Sequence, residues 1–298
     1  MRIALTGATG FLGRYIANDL TAAGHTLRAW HRPTSDRGGF TGPDERIEWL
    51  PGQLGADEDA AALVAGCDSV VHSAVDWEGL GRDATPAARL AFAERNVVGT
   101  LRLIEAARAA GARRFIYISS CAVHEVISPD RPLDEAHPLW PTSHYGAHKA
   151  AVEAFVHSYG FGSGYEICSL RPTGIYGLAR PASESRWYPL VKAVARGEDV
   201  TVRGGGKEVH AADVARAVAI LLEAPGIAGQ SYNCYDRYVS EFDVATLARK
   251  LSGTRGRIVG EPTRPKNQIV TDKLRALGMT FGGDALLERT IGELLAAD

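Results

Sequence analysis

Cysteine is scarce in this chain of 298 residues, and the four present (Cys67, Cys121, Cys168 and Cys234) stand singly. Without a C-x-x-C pair, a thiolate metal cluster and a dithiol redox motif are excluded, and reduced thiols in a cytoplasmic setting are expected. Long apolar runs are missing as well. No stretch approaches the roughly 18 residues of a membrane span. Gly7 interrupts the apolar run that begins at residue 2, so no signal peptide is expected. Nor does one sign of charge dominate: 33 Lys and Arg against 35 Asp and Glu leave a net charge of −2. That balance gives no electrostatic reason for a nucleic-acid or anionic-membrane partner. Linkers, repeats and low-complexity segments are lacking too. What remains is an ordinary globular composition, 45% hydrophobic and 23% charged. A chain of this length can bury a sizeable core without disulfides or metals.

The pattern along the chain is an alternation of short apolar runs and helical segments. RIALTG reads as a buried parallel strand, followed by a helix in FLGRYIANDLTAAGH with Leu12, Ile16 and Leu20 on one face and Gly24 closing it. TLRAWHR and IEWLPGQ read as strands, ADEDAAALVAG as a helix with an acidic first turn, and SVVHSA as the next strand. Residues 86–110 read as one alanine-rich helix ending at Gly111. RFIYISS, SHYGAHKAAVEAFVHSYG and YEICSLRP continue as strand, helix, strand. Such alternation predicts an α/β fold, a Rossmann-like doubly wound parallel sheet covered on both faces. After residue 172 the alternation loosens. SRWYPLVKAVARG, AADVARAVAILLEAP, VSEFDVATLARKLSG, TDKLRALG and DALLERTIGELLAAD read as helices, the third with a capping box from Ser240 to Asp243, and TVRGGGK as strand or turn. The expected organisation is a nucleotide-binding domain over 1–172 with returning segments near 205–235. A smaller C-terminal substrate lobe would then comprise 173–204 and 236–298.

Gly7, Gly10 and Gly13 form G-x-x-G-x-x-G directly between the first strand and helix. Glycine there allows a tight turn and close approach to a pyrophosphate, while the helix N-terminus supplies amides and a positive dipole. The residue ending the second strand is normally acidic where NAD is preferred. Here it is His31, followed by Arg32. Arginine at that point either pairs with a 2′-phosphate, which selects NADP over NAD, or is a solvated charge in a proline-containing loop with Arg37.

Tyr145 and Lys149 lie four apart in SHYGAHKAA, on one face of the expected helix. An ammonium beside a phenol stabilises phenolate and lowers the tyrosine pKa towards neutrality, making it a usable acid–base. Ser120 ends a strand at its carboxyl end, where ligands of open α/β sheets bind, and its hydroxyl suits polarising a carbonyl oxygen.

With these residues in place, the chain resembles the extended short-chain dehydrogenase/reductase family, the NAD(P)-dependent epimerase/dehydratase group. The ordered segments are TGATGFLG, GCDSVVHSA, NVVGT, FIYISSCAVH, YGAHK, LRPTGIYG, VHAADVARAV and TDKLRALG, which together cover nearly the whole chain. The resemblance implies Ser120, Tyr145 and Lys149 as the catalytic set, with Lys149 also holding the nicotinamide ribose. It implies cofactor contacts from Gly7, Thr9, Gly10, Phe11, Leu12, Gly13, His31, Arg32, Gln53, Leu54, Ser73, Ala74, Val75, Asn96, Ser119, Pro172, Thr173 and Gly174. Asn96 would maintain the site near the lysine. A homodimer packed through helices near 86–110 and 145–160 is implied as well.

Two departures bear on substrate. Members acting on nucleotide sugars usually carry asparagine where this chain has Gly174. They also tend to carry an arginine where this chain reads GGGKE, with Lys207 at best a substitute. Candidate substrate-lining residues are Val75, Trp77, Cys121, His124, Tyr176 and Trp187; His124 is either a polar contact or a loop histidine without chemistry. The expected function is NADP-dependent hydride transfer on a small sugar- or alcohol-like hydroxyl or carbonyl compound. Alternatives are a nucleotide-sugar epimerase or dehydratase with tightly bound NAD(P), and a non-catalytic dinucleotide sensor. The Ser120, Tyr145 and Lys149 set argues against the last, because binding alone needs no acid–base. No metal is expected.

Overall fold

The computed structural model describes residues 1–42, 44–81 and 83–297. The first half alternates β1 (Arg2–Thr6), α1 (Phe11–Ala22), β2 (Thr26–His31), β3 (Ile47–Pro51), α2 (Asp57–Val64) and β4 (Ser69–His72). It continues with α3 (Pro86–Ala93), α4 (Gly99–Ala109), β5 (Arg114–Ile118), α5 (His144–Ser163) and β6 (Glu166–Pro172). The second half contains β7 (Gly174–Tyr176), α6 (Tyr188–Ala195), β8 (Val200–Thr201), β9 (Gly205–His210), α7 (Ala211–Glu223) and β10 (Gln230–Cys234). The chain ends with β11 (Arg237–Ser240), α8 (Glu241–Ser252), β12 (Ile258–Val259), α9 (Asp272–Ala276) and α10 (Gly283–Ala296).

Seven parallel strands form one sheet in the order β10-β6-β5-β4-β1-β2-β3. The order reverses between β1 and β4, so the sheet is doubly wound, and the carboxyl ends beside that reversal are where such sheets bind ligands. Strands β4 and β5 are buried along their whole length, as expected for strands covered on both faces. Val70, Phe115, Ile167, Leu103 and Ile104 lie in one core cluster at 0% exposure. Each such side chain contributes about 1.5–3 kcal/mol on burial.

Contacts divide the chain into two units, the first of residues 1–172, 214–234 and 270–279, the second of 173–213, 235–269 and 280–298. The return to the first unit begins at Val214 rather than near 205, because β9 pairs with β7 and β11 inside the second. Residues 270–279 also join the first unit. On α9, Lys273 Nζ donates to Gln230 Oε1 at 2.6 Å and lies over the Tyr232 ring, both on β10. The second unit has its own core, in which Tyr176, Val191, Val244, Ile291 and Leu294 are buried.

The alanine-rich segment expected as one helix is interrupted. Residues 94–98 form a π-helical turn between α3 and α4. There Asn96 donates to Phe92 O at 3.0 Å and Thr100 Oγ1 donates to Asn96 O at 2.7 Å. The capping box forms, with Ser240 and Asp243 bonded reciprocally at the start of α8. The last expected helix is α10; Asp298, which the sequence reading includes in it, lies outside the described residues.

Candidate active site

The glycine turn follows from sterics. Gly7 has φ +71°, and a Cβ there would lie 2.9 Å from Ala74 N. A Cβ on Gly13 would lie 1.9 Å from Gly7 O, so α1 can approach β1 this closely only without a side chain at 13. Gly10 is the N-cap of α1 and supplies no side-chain cap, leaving the first-turn amides to a ligand. These residues fit a dinucleotide pyrophosphate. Thr6 Oγ1 accepts from Ser73 N and Ala74 N, each at 3.1 Å, and pairs with His72 Nδ1 at 2.6 Å. It thereby fixes the loop after β4 beside the turn.

Asn96 works on that same loop. It accepts from Asp76 N and donates to Asp76 O, each at 2.9 Å. Its side chain thus ties the segment carrying Val75 and Trp77 to α3 through Phe92 O. The π turn sets Asn96 at the depth this requires, a placement such turns often serve.

Ser143 caps α5 by accepting from Gly146 N at 3.0 Å, and Glu125 accepts from Ser143 N at 2.7 Å. The first turn of α5 therefore starts in a fixed place, and it carries Tyr145. The Ser120 hydroxyl faces the Tyr145 phenol closely enough to favour its phenolate form. Ser120 Oγ also accepts from Ala122 N at 3.1 Å. Lys149 is 2% exposed, donates to Ile118 O at 2.7 Å, and lies 4.7 Å from the Tyr117 ring and 5.9 Å from that of Tyr145. The set from β5 and α5 is thus gathered at the carboxyl end of the sheet. Burial pushes the Tyr145 phenol above its ordinary pKa, and the Ser120 hydroxyl opposes this. The lowering towards neutrality expected from Lys149 is not what the protein shows. Burial instead brings Lys149 itself down to about 7, with Glu153 opposing. Trp77 stacks on Tyr145, with centroids 5.2 Å apart and planes at 14°, and is 62% exposed.

The other sequence candidates are distributed as follows. Thr9, Phe11 and Leu12 sit on the glycine turn and the first turn of α1. His31 ends β2, its Nδ1 3.2 Å from Arg32 O, while Arg32 is exposed. Arg14 is held by Thr9 O and by Asp36 O and Gly38 O of the loop after β2. Gln53 is exposed, whereas Leu54 packs against the core cluster. The Ser119 hydroxyl is directed inward and donates to Glu153, so only its backbone faces other duties. Cys121 Sγ lies 3.1 Å from Arg171 O. Pro172 ends β6.

Two substrate-side expectations change. His124 is 5% exposed, its Nε2 accepting from Arg171 at 3.2 Å and its Nδ1 facing Pro138 O at 3.3 Å. Burial first, then Arg171, bring its pKa down to about 4, so it is a neutral interior group rather than a lining residue. In the second unit Tyr176 is 0% exposed and belongs to the core, stacked at a tilt on Trp187, 5.2 Å away. Trp187 holds φ +68°, an unusual conformation for a bulky residue. Thr173 has a buried Oγ1 without a hydrogen-bond partner.

Sequence reasoning missed Glu208. It is 0% exposed on β9, and its Oε2 lies 2.5 Å from where a Cβ on Gly174 would stand. The volume a side chain at 174 would need is filled by this carboxylate. The missing signal is a pairing: β9 aligns Glu208 with Gly174 on β7, and no local pattern announces that register.

The model of the NAD dependent epimerase/dehydratase family matches residues 3–234. The 4-hydroxy-2-methyl-3-oxo-4-farnesyl-3,4-dihydroquinoline-1-oxide ketoreductase of Stigmatella aurantiaca is 31% identical over 246 residues, 78% of this chain and 67% of that protein. A 3-beta-hydroxysteroid dehydrogenase of Mycolicibacterium neoaurum is 30% identical over 182 residues, 59% of this chain, and only 48% of its own length is spanned. Among solved structures, the UDP-glucose 4-epimerase of Thermotoga maritima with UDP-glucose superposes with a TM-score of 0.79. It is 20% identical, and the match covers 98% of each chain, which establishes the fold.

Proposed function

Because the chain belongs to the NAD dependent epimerase/dehydratase family, we propose that it is an NAD(P)-dependent oxidoreductase. It moves hydride between NADP(H) and a small sugar- or alcohol-like hydroxyl or carbonyl compound. The observation that carries this reading is Tyr145 at the start of α5 with buried Lys149 one helical turn along, its Nζ 5.9 Å from the Tyr145 ring. The nicotinamide cofactor, when bound, supplies the hydride chemistry. The turn at Gly7, Gly10 and Gly13 and the uncapped start of α1 hold its pyrophosphate. Tyr145 transfers a proton to or from the substrate oxygen, Ser120 holds that oxygen, and Trp77 forms a wall beside Tyr145. The second unit acts as the substrate lobe.

A reductase is favoured over a nucleotide-sugar epimerase because Glu208 fills the space beside Gly174. The similarity to a ketoreductase over most of the chain supports the same choice. The epimerase reading is separated by one assay. A reductase consumes NADPH stoichiometrically with net turnover, whereas an epimerase leaves the total cofactor absorbance unchanged.

NADP preference rests on Arg32, which is exposed and pairs with no carboxylate among the described residues. Arg32→Ala is expected to weaken NADPH binding about 10-fold, the size of one charge-assisted contact, and to leave NADH binding unchanged. Titration of both cofactors by fluorescence checks this; an unaltered NADPH affinity removes the assignment. Exposed Leu90 on α3 and exposed Phe155 and Phe161 on α5 support a homodimer through these helices. No helix among the described residues is long and apolar enough to cross a membrane. We read the enzyme as cytoplasmic.

A further inference from the structure

Beyond the Tyr145–Lys149 turn on α5 lies a fully buried ion pair. Glu153, one turn beyond Lys149 on α5, has a side-chain exposure of 0%, and Arg171 on β6 has 1%. Arg171 Nη2 donates to Glu153 Oε2 at 2.5 Å, and Nε reaches both carboxylate oxygens at 3.0 Å. Ser119 donates to Oε1, and Ser231 on β10 donates to Oε2 at 3.2 Å. One carboxylate therefore ties α5 to the residue following β5 and to β6 and β10. Apolar residues of similar volume would give comparable or greater stability at such a site, so stability alone is a poor account of this pair.

A count of charge gives a better one. Lys149 and Arg171 are two buried cations that face the one Glu153 carboxylate, while Glu135 and Lys273, which also face Arg171, are a pair of opposite sign. The remaining titratable groups around Lys149 are neutral. His72 of β4 and His148 of α5 are each brought down to about 3, burial being the largest cause. His124, against Arg171, is brought down to about 4. Tyr117 of β5 and Tyr145 are raised by burial and stay phenols at neutral pH. Arg171 cannot release its proton, whereas a lysine can. If the shared carboxylate were neutral, the excess charge would be relieved at Lys149.

We propose that Glu153 is a positioning residue that keeps Lys149 protonated for proton transfer at Tyr145, with Arg171 as the fixed cation that holds its carboxylate in place. The inference rests on the reading of Tyr145 and Lys149 as the proton-transfer pair. It also explains why the Ser119 hydroxyl is directed inward, since that bond anchors the carboxylate at the residue preceding Ser120. Burial brings Lys149 down to about 7 even with Glu153 acting against it.

The test compares the wild type with Glu153→Gln, Arg171→Met and the double variant. Lysine-selective isotope labelling lets the Lys149 ammonium be titrated by NMR in the apoprotein. NADPH fluorescence gives cofactor affinity at pH 6 and pH 8. In Glu153→Gln the Lys149 titration is expected about one pH unit or more to the acid side. NADPH affinity then falls about 10-fold at pH 8 and little at pH 6. Arg171→Met moves the titration the other way. The double variant, which removes both charges, recovers the wild-type midpoint to within about half a unit. A purely structural pair predicts the opposite ranking, with the double variant no better than either single. An unchanged Lys149 midpoint in Glu153→Gln, or a double variant displaced further than the single, overturns the proposal. If Glu153→Gln does not fold, the direction of the Arg171→Met shift and the midpoint of the double variant decide it. If the wild type binds no NADPH, the functional reading fails, while the apoprotein titration still decides the role of Glu153.

Discussion

Tyr145→Phe lowers turnover by about 10³-fold, within the 10²–10⁴ range expected for losing a positioned acid–base, and changes NADPH affinity less than about 3-fold. The substitution removes only the phenolic oxygen. The ring that stacks on Trp77 and meets His148 edge-on is retained, so the start of α5 keeps its packing. Ser120 Oγ still accepts from Ala122 N, and the residue stays in place. Single-turnover measurement of NADPH oxidation separates the chemical step from binding. Full activity in the Phe variant would remove Tyr145 from the mechanism. A loss seen in cofactor affinity alone would assign the residue to binding instead of proton transfer.

The first half of the fold is legible because its signals are local. In β1, β4 and β5 contiguous apolar residues meet a parallel sheet buried on both faces, and glycine is required wherever a Cβ would strike Gly7 or Ala74. The second half hides its strands. QSYNC in β10 and GGKEVH in β9 contain no apolar run, and they become strands by pairing with β6 and with β7 and β11. The π turn at residues 94–98 is likewise invisible to a periodic reading, since it is set by the bonds of Asn96 and Thr100. The site divides along the same line. Ser120, Tyr145 and Lys149 belong to ordered motifs at a strand end and a helix start. Charges that meet across the fold leave no local trace. The Arg171–Glu153 pair, which turns His124 and the Ser119 hydroxyl inward, joins residues 18 apart. Tyr176 could be read as a substrate-lining residue only because sequence says nothing of the core that α6, α8 and α10 build around it.

Glu208 provides the largest expected effect on stability, and one that depends on pH. Its carboxylate is 0% exposed, and Arg186 Nη2 lies 2.7 Å from Oε1 without the alignment of a hydrogen bond. Burial, only partly offset by Arg186, raises its pKa from 4.5 to about 7. A carboxyl whose native pKa is raised contributes its full stability below the unfolded value of 4.5 and loses that contribution as pH rises through about 7. At roughly 1.4 kcal/mol per pH unit, ionising it inside the native protein costs up to about 3 kcal/mol by pH 8. Glu208→Gln keeps the shape and removes the titration. Relative to the wild type, the variant is therefore expected to gain up to about 3 kcal/mol in unfolding free energy between pH 5 and pH 8. Urea unfolding of the full chain at the two pH values measures the gap. A gap that stays the same at both would mean that the carboxylate is solvated or fully neutralised by Arg186. The same burial explains why position 174 is glycine here: a side chain on Gly174 would have to displace the Glu208 carboxylate from the volume it fills.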